Sequence, residues 1–381
     1  MQTPLQLKAS VLSNGIRLTD TLIENYGLPF LEKRRAYGNQ DPLELRNVCI
    51  PQEIYIDPDN QKLIAAVNVN QESEWKIDFN SGSYFLTNDN LSENYKINFP
   101  LRPKFYDYNL QNGQNVSKII TLYGGGSLGI FAYGKCHLVE IDKPCHYCSI
   151  SQNRDKGTDF LKALNKEQIY EAVTLALQDT VTNPSQIMLN GGNFEDMDKS
   201  FIHYINLLKS IGKAVKDSGK KIDIHIIVYP PKNLELINEL EGLDIGIAMN
   251  TEVFNSELFE KYCPGKVVTA GREHILNALQ KAVDVLGKGK VFSILVGGLE
   301  PVNSLSDGLN LLAEKGITPI VNVLHTDPET PLENFPNPTP EIILEMGSAL
   351  QKVFKKHNFK PFYENCGRNS IDTEAYNELF N

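Results

Sequence analysis

The sequence predicts an α/β fold in which a mostly parallel sheet curls into six units of an incomplete eight-unit α/β barrel, flanked by a small N-terminal α+β appendage and a C-terminal extension. Three observations predict it. From about residue 116, apolar runs alternate with amphipathic segments. The runs are rich in Ile, Val and Leu, as strands covered on both faces require. The amphipathic segments place apolar residues three and four apart, and several end at Gly, the usual helix C-cap.

The strand candidates are residues 118–124, 185–192, 221–230, 243–250, 290–298 and 318–325. The helix candidates between and after them are 166–179, 201–219, 273–289, 307–316 and 337–357. Residues 1–117 read differently: strand-like pieces at 53–56, 63–70 and 83–87 are separated by Asn, Asp, Gly and Pro turns, and 7–18 suits a short helix ending at Gly15. The division expected is an appendage over 1–117, a barrel over 118–335, and a helix with a closing tail over 336–381.

A chain of 381 residues is too long for one small core, and 41% hydrophobic with 22% charged residues is the composition of an ordinary globular protein. Lys and Arg number 37 against 47 Asp and Glu, with no basic run, so nucleic acid is not an expected partner and a small molecule or peptide is. The first residues carry no signal-peptide core, and no stretch approaches the roughly 18 apolar residues of a membrane span. A cytoplasmic location, away from membranes, is the expectation.

Six cysteines are too few for a disulfide scaffold at this length, and three of them, Cys136, Cys145 and Cys148, fall within thirteen residues with the spacing C-x8-C-x2-C. They follow the first strand candidate, on a loop able to wrap thiolates around one cubane and leave a fourth iron free. Zinc with His137 or His146 as fourth ligand is the competing reading, although zinc clips usually come as two short-spaced pairs. Cys49, Cys263 and Cys366 are scattered singly.

On these residues the chain resembles the radical SAM superfamily, whose three cluster cysteines lie on the loop after strand one of a partial (βα)6 TIM-type barrel, often with an aromatic before the last Cys, as Tyr147 is here. The usual spacing is C-x3-C-x2-C, so the eight-residue gap is atypical. The resemblance implies a [4Fe–4S] cluster, S-adenosylmethionine (SAM), and an electron donor such as flavodoxin or ferredoxin. Further matches come in chain order. Gly191, Gly192 and Asn193 are similar to the GGE-type motif that meets the SAM amino group, with Asn193 in place of the acid. Asn250, Glu252 and Arg272 resemble the biotin-synthase-like and lipoyl-synthase-like positions that contact ribose and carboxylate; a solvated ion pair is the plain alternative for Glu252 and Arg272. Val296, Gly297 and Gly298 look like the GxIxGxxE segment along the adenine, or simply a βα turn.

His325 and Asp327, after the last strand candidate, are candidates for substrate binding or proton transfer, with a turn-forming Asp as the alternative. Cys366, in the polar tail segment Glu364–Ser370, is a candidate thiol offered to substrate. The second N-terminal cysteine triad of lipoyl synthase is missing. The implied activity is reductive cleavage of SAM to a 5′-deoxyadenosyl radical that abstracts hydrogen from substrate. Readings from other classes are a zinc or Fe–S electron-transfer protein, and a degenerate barrel serving as a binding module.

Overall fold

A seven-stranded sheet forms the body of the molecule in a computed structural model that describes residues 2–22, 52–56, 63–92, 94–150, 161, 163–327 and 329–380. Its strands are β7 (Ile120–Tyr123), β8 (Ser127–Phe131), β9 (Gln186–Asn190), β10 (Asp223–Ile227), β11 (Gly246–Ala248), β12 (Val291–Gly297) and β13 (Thr318–Val323), lying side by side in that order. Strands β8 to β13 are all parallel, while β7 pairs antiparallel with β8. The sheet is an open partial barrel.

The six parallel strands correct one element of the sequence reading. The run at 118–124 is an outer edge strand, and the first parallel strand is Ser127–Phe131, which was missed. The two are joined through Gly124 and Gly125, both at positive φ. A side chain at Gly124 would sit 1.9 Å from the Cys366 carbonyl oxygen, so glycine is demanded there by a close approach as well as by the turn.

Helices α3 (Lys166–Ala176), α4 (Met197–Ser218), α7 (Arg272–Leu286), α8 (Val302–Glu314) and α9 (Pro340–His357) appear where the periodicity placed them; α2 (His137–Glu140), α5 (Ser256–Tyr262) and α6 (Pro264–Thr269) are shorter. Capping follows the local residues: Asn165 closes a capping box with Gln168, and α4 stops at left-handed Gly219. Strand side chains alternate between two apolar layers. Ile187 and Leu189 face the helices, whereas Met188 joins Phe292, Ile294, Ile320, Phe362, Tyr363 and Cys366 inside the barrel.

Helix α1 (Pro4–Asn14) ends at Gly15 and packs on α9. A four-stranded sheet in the order β1 (Arg17–Leu18), β4 (Trp75–Asn80), β5 (Ser83–Asn88), β6 (Asn94–Ile97) shares a separate core with Leu7, Val11 and Ile54, and β2 (Glu53–Tyr55) pairs with β3 (Ile64–Ala66). Residues after α9 return into the barrel, where Asn369 and Ser370 run antiparallel to β13 before α10 (Asp372–Tyr376). Among the described residues no helix is long and apolar enough to cross a membrane. Cys49 lies outside the described residues.

Candidate active site

The loop after β8 is fastened to the end of β9. Ala132 N donates to Asn190 O (2.8 Å) and Gly192 N to Tyr133 O (2.8 Å). Gly192 has to be glycine, since a Cβ would lie 1.6 Å from the Lys135 carbonyl oxygen. The glycine pair therefore seats the cysteine loop against β9, while its own backbone is already engaged: Gly192 O accepts from the Tyr204 hydroxyl at 2.6 Å.

Cys136 stands at the start of α2, and Cys145 and Cys148 are brought together by a turn in which Cys148 N donates to Cys145 O at 3.0 Å. The segment between is held under α6, where Gly265 lets the Lys143 carbonyl approach. His146 N donates to Tyr262 O, and His146 O accepts from Leu332 N. All three thiols border one cavity of about 300 Å³ at the C-terminal ends of the strands, the end where α/β barrels gather their chemistry.

Twelve of the sequence-derived candidates line that cavity: Cys136, Cys145, Cys148, Tyr147, Gly191, Gly192, Asn193, Asn250, Glu252, Val296, His325 and Asp327. Four lie elsewhere. Arg272 opens α7 with its guanidinium 4.5 Å above the Phe254 ring, and burial lowers its pKa against the pull of Glu300. Gly297 leaves room for the Met346 sulfur of α9, and Gly298, at φ +109, for Pro338; both serve helix packing. Cys366 is fully buried in the apolar barrel interior, its thiol donating to Gln186 Oε1 at 3.3 Å, and burial pushes its pKa well up. A thiol so placed does not reach the cavity wall.

Other lining residues were not foreseen, and Lys266 is the most consequential. Its ammonium is buried and donates to Glu252 Oε1 (2.6 Å) and to Asn250 O (2.8 Å). Burial opposes that charge, but Glu252 and the neighbouring Cys145 outweigh it and hold Lys266 protonated. Glu252 itself sits at φ +62, a strained conformation for a non-glycine residue. Its carboxylate is paired inside the site rather than with Arg272. Nothing around Lys266 in the sequence announces it. Asn190 and Asn322 did carry a signal: each is a polar residue in an apolar strand, which turns it into the barrel.

The thiols differ in charge environment. Hydrogen bonding from Cys263 lowers the Cys145 pKa, helped by Lys266 and opposed by burial, whereas burial pushes Cys136 and Cys148 up. Cys263, solitary in the sequence, is buried against Cys145 in the fold. His325 Nδ1 lies 3.1 Å from Asp327 Oδ1, and the other oxygen of this carboxylate accepts from the Ser149 hydroxyl.

Three soft thiolates around one cavity, with no fourth cysteine among its described lining residues, suit a cubane that keeps one iron open. A mononuclear zinc needs four donors within about 2.3 Å of one point. Neither His137 nor His146, the fourth donors a zinc site would use, lines the cavity.

No family model matches the chain. A curated relative, the bacteriochlorophyllide c C-7(1)-hydroxylase of Chlorobaculum limnaeum, is 24% identical over 160 residues, which is 38% of this chain and 40% of that protein. The chain thus matches well under half the relative's length. Among solved structures, methylornithine synthase (PylB) aligns over 70% of this chain and 79% of its own at 13% identity, with a TM-score of 0.44. A radical SAM methyltransferase from Sphaerobacter thermophilus covers 80% and 82%, at 13% identity and TM-score 0.43. HydG, a maturase of the [FeFe]-hydrogenase, covers 61% and 51%, at 14% identity and TM-score 0.39. The chain is thus similar over part of its length to that hydroxylase, and its three cysteines border one cavity at the mouth of a six-stranded partial barrel.

Proposed function

We propose that this chain reductively cleaves SAM and uses the resulting radical on a small-molecule or peptide substrate, with flavodoxin or ferredoxin as electron donor. The observation that carries the reading is that Cys136, Cys145 and Cys148 border the same cavity as Gly191, Glu252 and His325, although they come from separate parts of the chain. When bound, the cluster and SAM supply the hard chemistry: one electron breaks the sulfonium C–S bond, giving methionine and a 5′-deoxyadenosyl radical that takes a hydrogen atom from substrate.

The protein's part is to bind, orient and exclude water. Cys136, Cys145 and Cys148 hold three irons. The strip Gly191–Asn193 would flank the amino group of SAM, Asn250 and Glu252 would meet its ribose hydroxyls, and Val296 would lie against its adenine. Lys266 fixes Glu252 through the 2.6 Å ion pair, so that carboxylate is oriented before any ligand arrives. Tyr147 packs beside the cysteines with its hydroxyl hydrogen-bonded to Cys145. His325 moves a proton to or from substrate at Nε2, while Asp327, anchored by Ser149, holds Nδ1.

The test is anaerobic reconstitution with iron and sulfide, followed by SAM and dithionite. A brown protein that releases 5′-deoxyadenosine is expected. A protein that loads a [4Fe–4S] cluster yet releases none overturns the proposal, as does one that binds only zinc.

A further inference from the structure

The two ends of the Asn193 amide are in opposite situations. Oδ1 accepts the thiol proton of Cys136 at 2.8 Å, while Nδ2 is buried without a partner. A buried donor left unpaired forfeits the hydrogen bond it had with water. The residue cannot readily move away, because its backbone carbonyl accepts from His137 N at 3.0 Å and it is 4% exposed. The sulfur of Cys136 is otherwise approached by donors, the backbone N–H groups of Leu138, Val139 and Asn193. Oδ1 is the odd neighbour.

That arrangement suits a thiol, but iron takes the thiolate. Once the proton has left, sulfur lone pairs would face amide oxygen lone pairs, with the unpaired Nδ2 still buried. A half-turn about the Cβ–Cγ bond exchanges two ends of nearly the same shape: it gives Nδ2 the sulfur as its acceptor and removes the clash of lone pairs.

We propose that Asn193 is a positioning residue for the cluster: in the loaded protein its Nδ2 donates to the sulfur of Cys136, and this N–H···S bond stabilises the reduced state. The inference rests on the cluster assignment made above. It also gives a reason for Asn where the superfamily's motif has an acid. A carboxylate at this distance from a thiolate would set two negative charges together in a buried site.

The experiment is a redox titration of the reconstituted full chain, without SAM, comparing the parent with Asn193→Leu, Asn193→Asp and Asn193→Gln. Hydrogen bonds to cluster sulfurs raise reduction potentials. The [4Fe–4S]2+/1+ midpoint should therefore become more negative in Asn193→Leu and more negative still in Asn193→Asp, with Asn193→Gln nearer the parent. An Asn193→Leu midpoint equal to the parent's overturns the proposal. If that variant does not load, Asn193→Ala replaces it with the same criterion. Should Leu and Ala both fail to load while Gln loads, the amide is required at the sulfur and the proposal stands; should all three fail, Asn193 only builds the loop and the proposal falls. A parent that takes up no cluster would instead overturn the function proposed above.

Discussion

Cysteines occur at both ends of the barrel, and the two settings are opposites. At the upper end, Cys136, Cys145 and Cys148 share a cavity with asparagines, an ion pair and a histidine. At the lower end, Cys366 is packed among Phe292, Phe362 and Tyr363 with its thiol spent on Gln186. In sequence the tail around Cys366 looks as polar as the cluster loop. Arg368 and Asn369 of this tail reach the cavity lining, but the groups around Cys366 itself tie the tail down: Arg368 reaches Gln52 and Glu53 and covers Tyr123, Asp372 accepts from Tyr363 N and Thr373 N, and Lys8 bonds Gly367 O and Ser370 O. Polar surroundings mark a working cysteine only when they leave space beside it.

The sharpest way to break this contrast is to remove one cysteine from each end. Cys145→Ala should abolish cluster assembly, read as loss of visible absorption and of cluster-bound iron. Loss of the cluster in Cys366→Ala instead would erase the distinction.

A second prediction concerns the buried pair at the upper end. Lys266→Met leaves Glu252 buried beside the cysteines without its cation, at a cost of about 3–5 kcal/mol. Denaturant unfolding of the apo-protein measures it, and a stability within error of the parent would mean that the pair contributes nothing net.

The lower end predicts a pH response. His225, its ring 4.5 Å from that of Phe362, is held neutral by burial, its pKa lowered from 6.5 to about 4. Below pH 6.5 the unfolded chain gains a proton that the folded chain refuses until about pH 4. Stability is therefore complete above 6.5 and falls by roughly 3 kcal/mol through that window. His225→Gln should flatten this part of the Tm-against-pH curve relative to the parent; parallel curves would show that His225 is protonated in the fold.

The smallest effect belongs to Cys366→Ala, which deletes one buried atom. About 1 kcal/mol, or roughly 2 °C of Tm, is expected, with SAM cleavage unchanged.

The same contrast explains what the sequence disclosed. Long amphipathic helices such as Met197–Ser218 and Pro340–His357 were legible because burial of one face imposes its period on the residues. Strand β8 was not, because five residues with a central glycine carry too little pattern beside the more apolar β7. The cysteine trio was legible as spacing. Lys266 was not, because its role comes from the fold bringing α6 against Glu252, a relation with no local trace. Gly297 and Gly298 were given to a ligand although helix α9 makes the same demand for a missing side chain, and sequence alone does not distinguish the two neighbours.

The clasp between Lys8 and Glu374 at 2.7 Å joins residues 366 positions apart in the chain. The barrel's floor is therefore closed by one of the most distant contacts the fold makes, and contacts of such separation are slow to form. Refolding of the lower end should accordingly depend on this long loop closure more than on the local helices that build the wall.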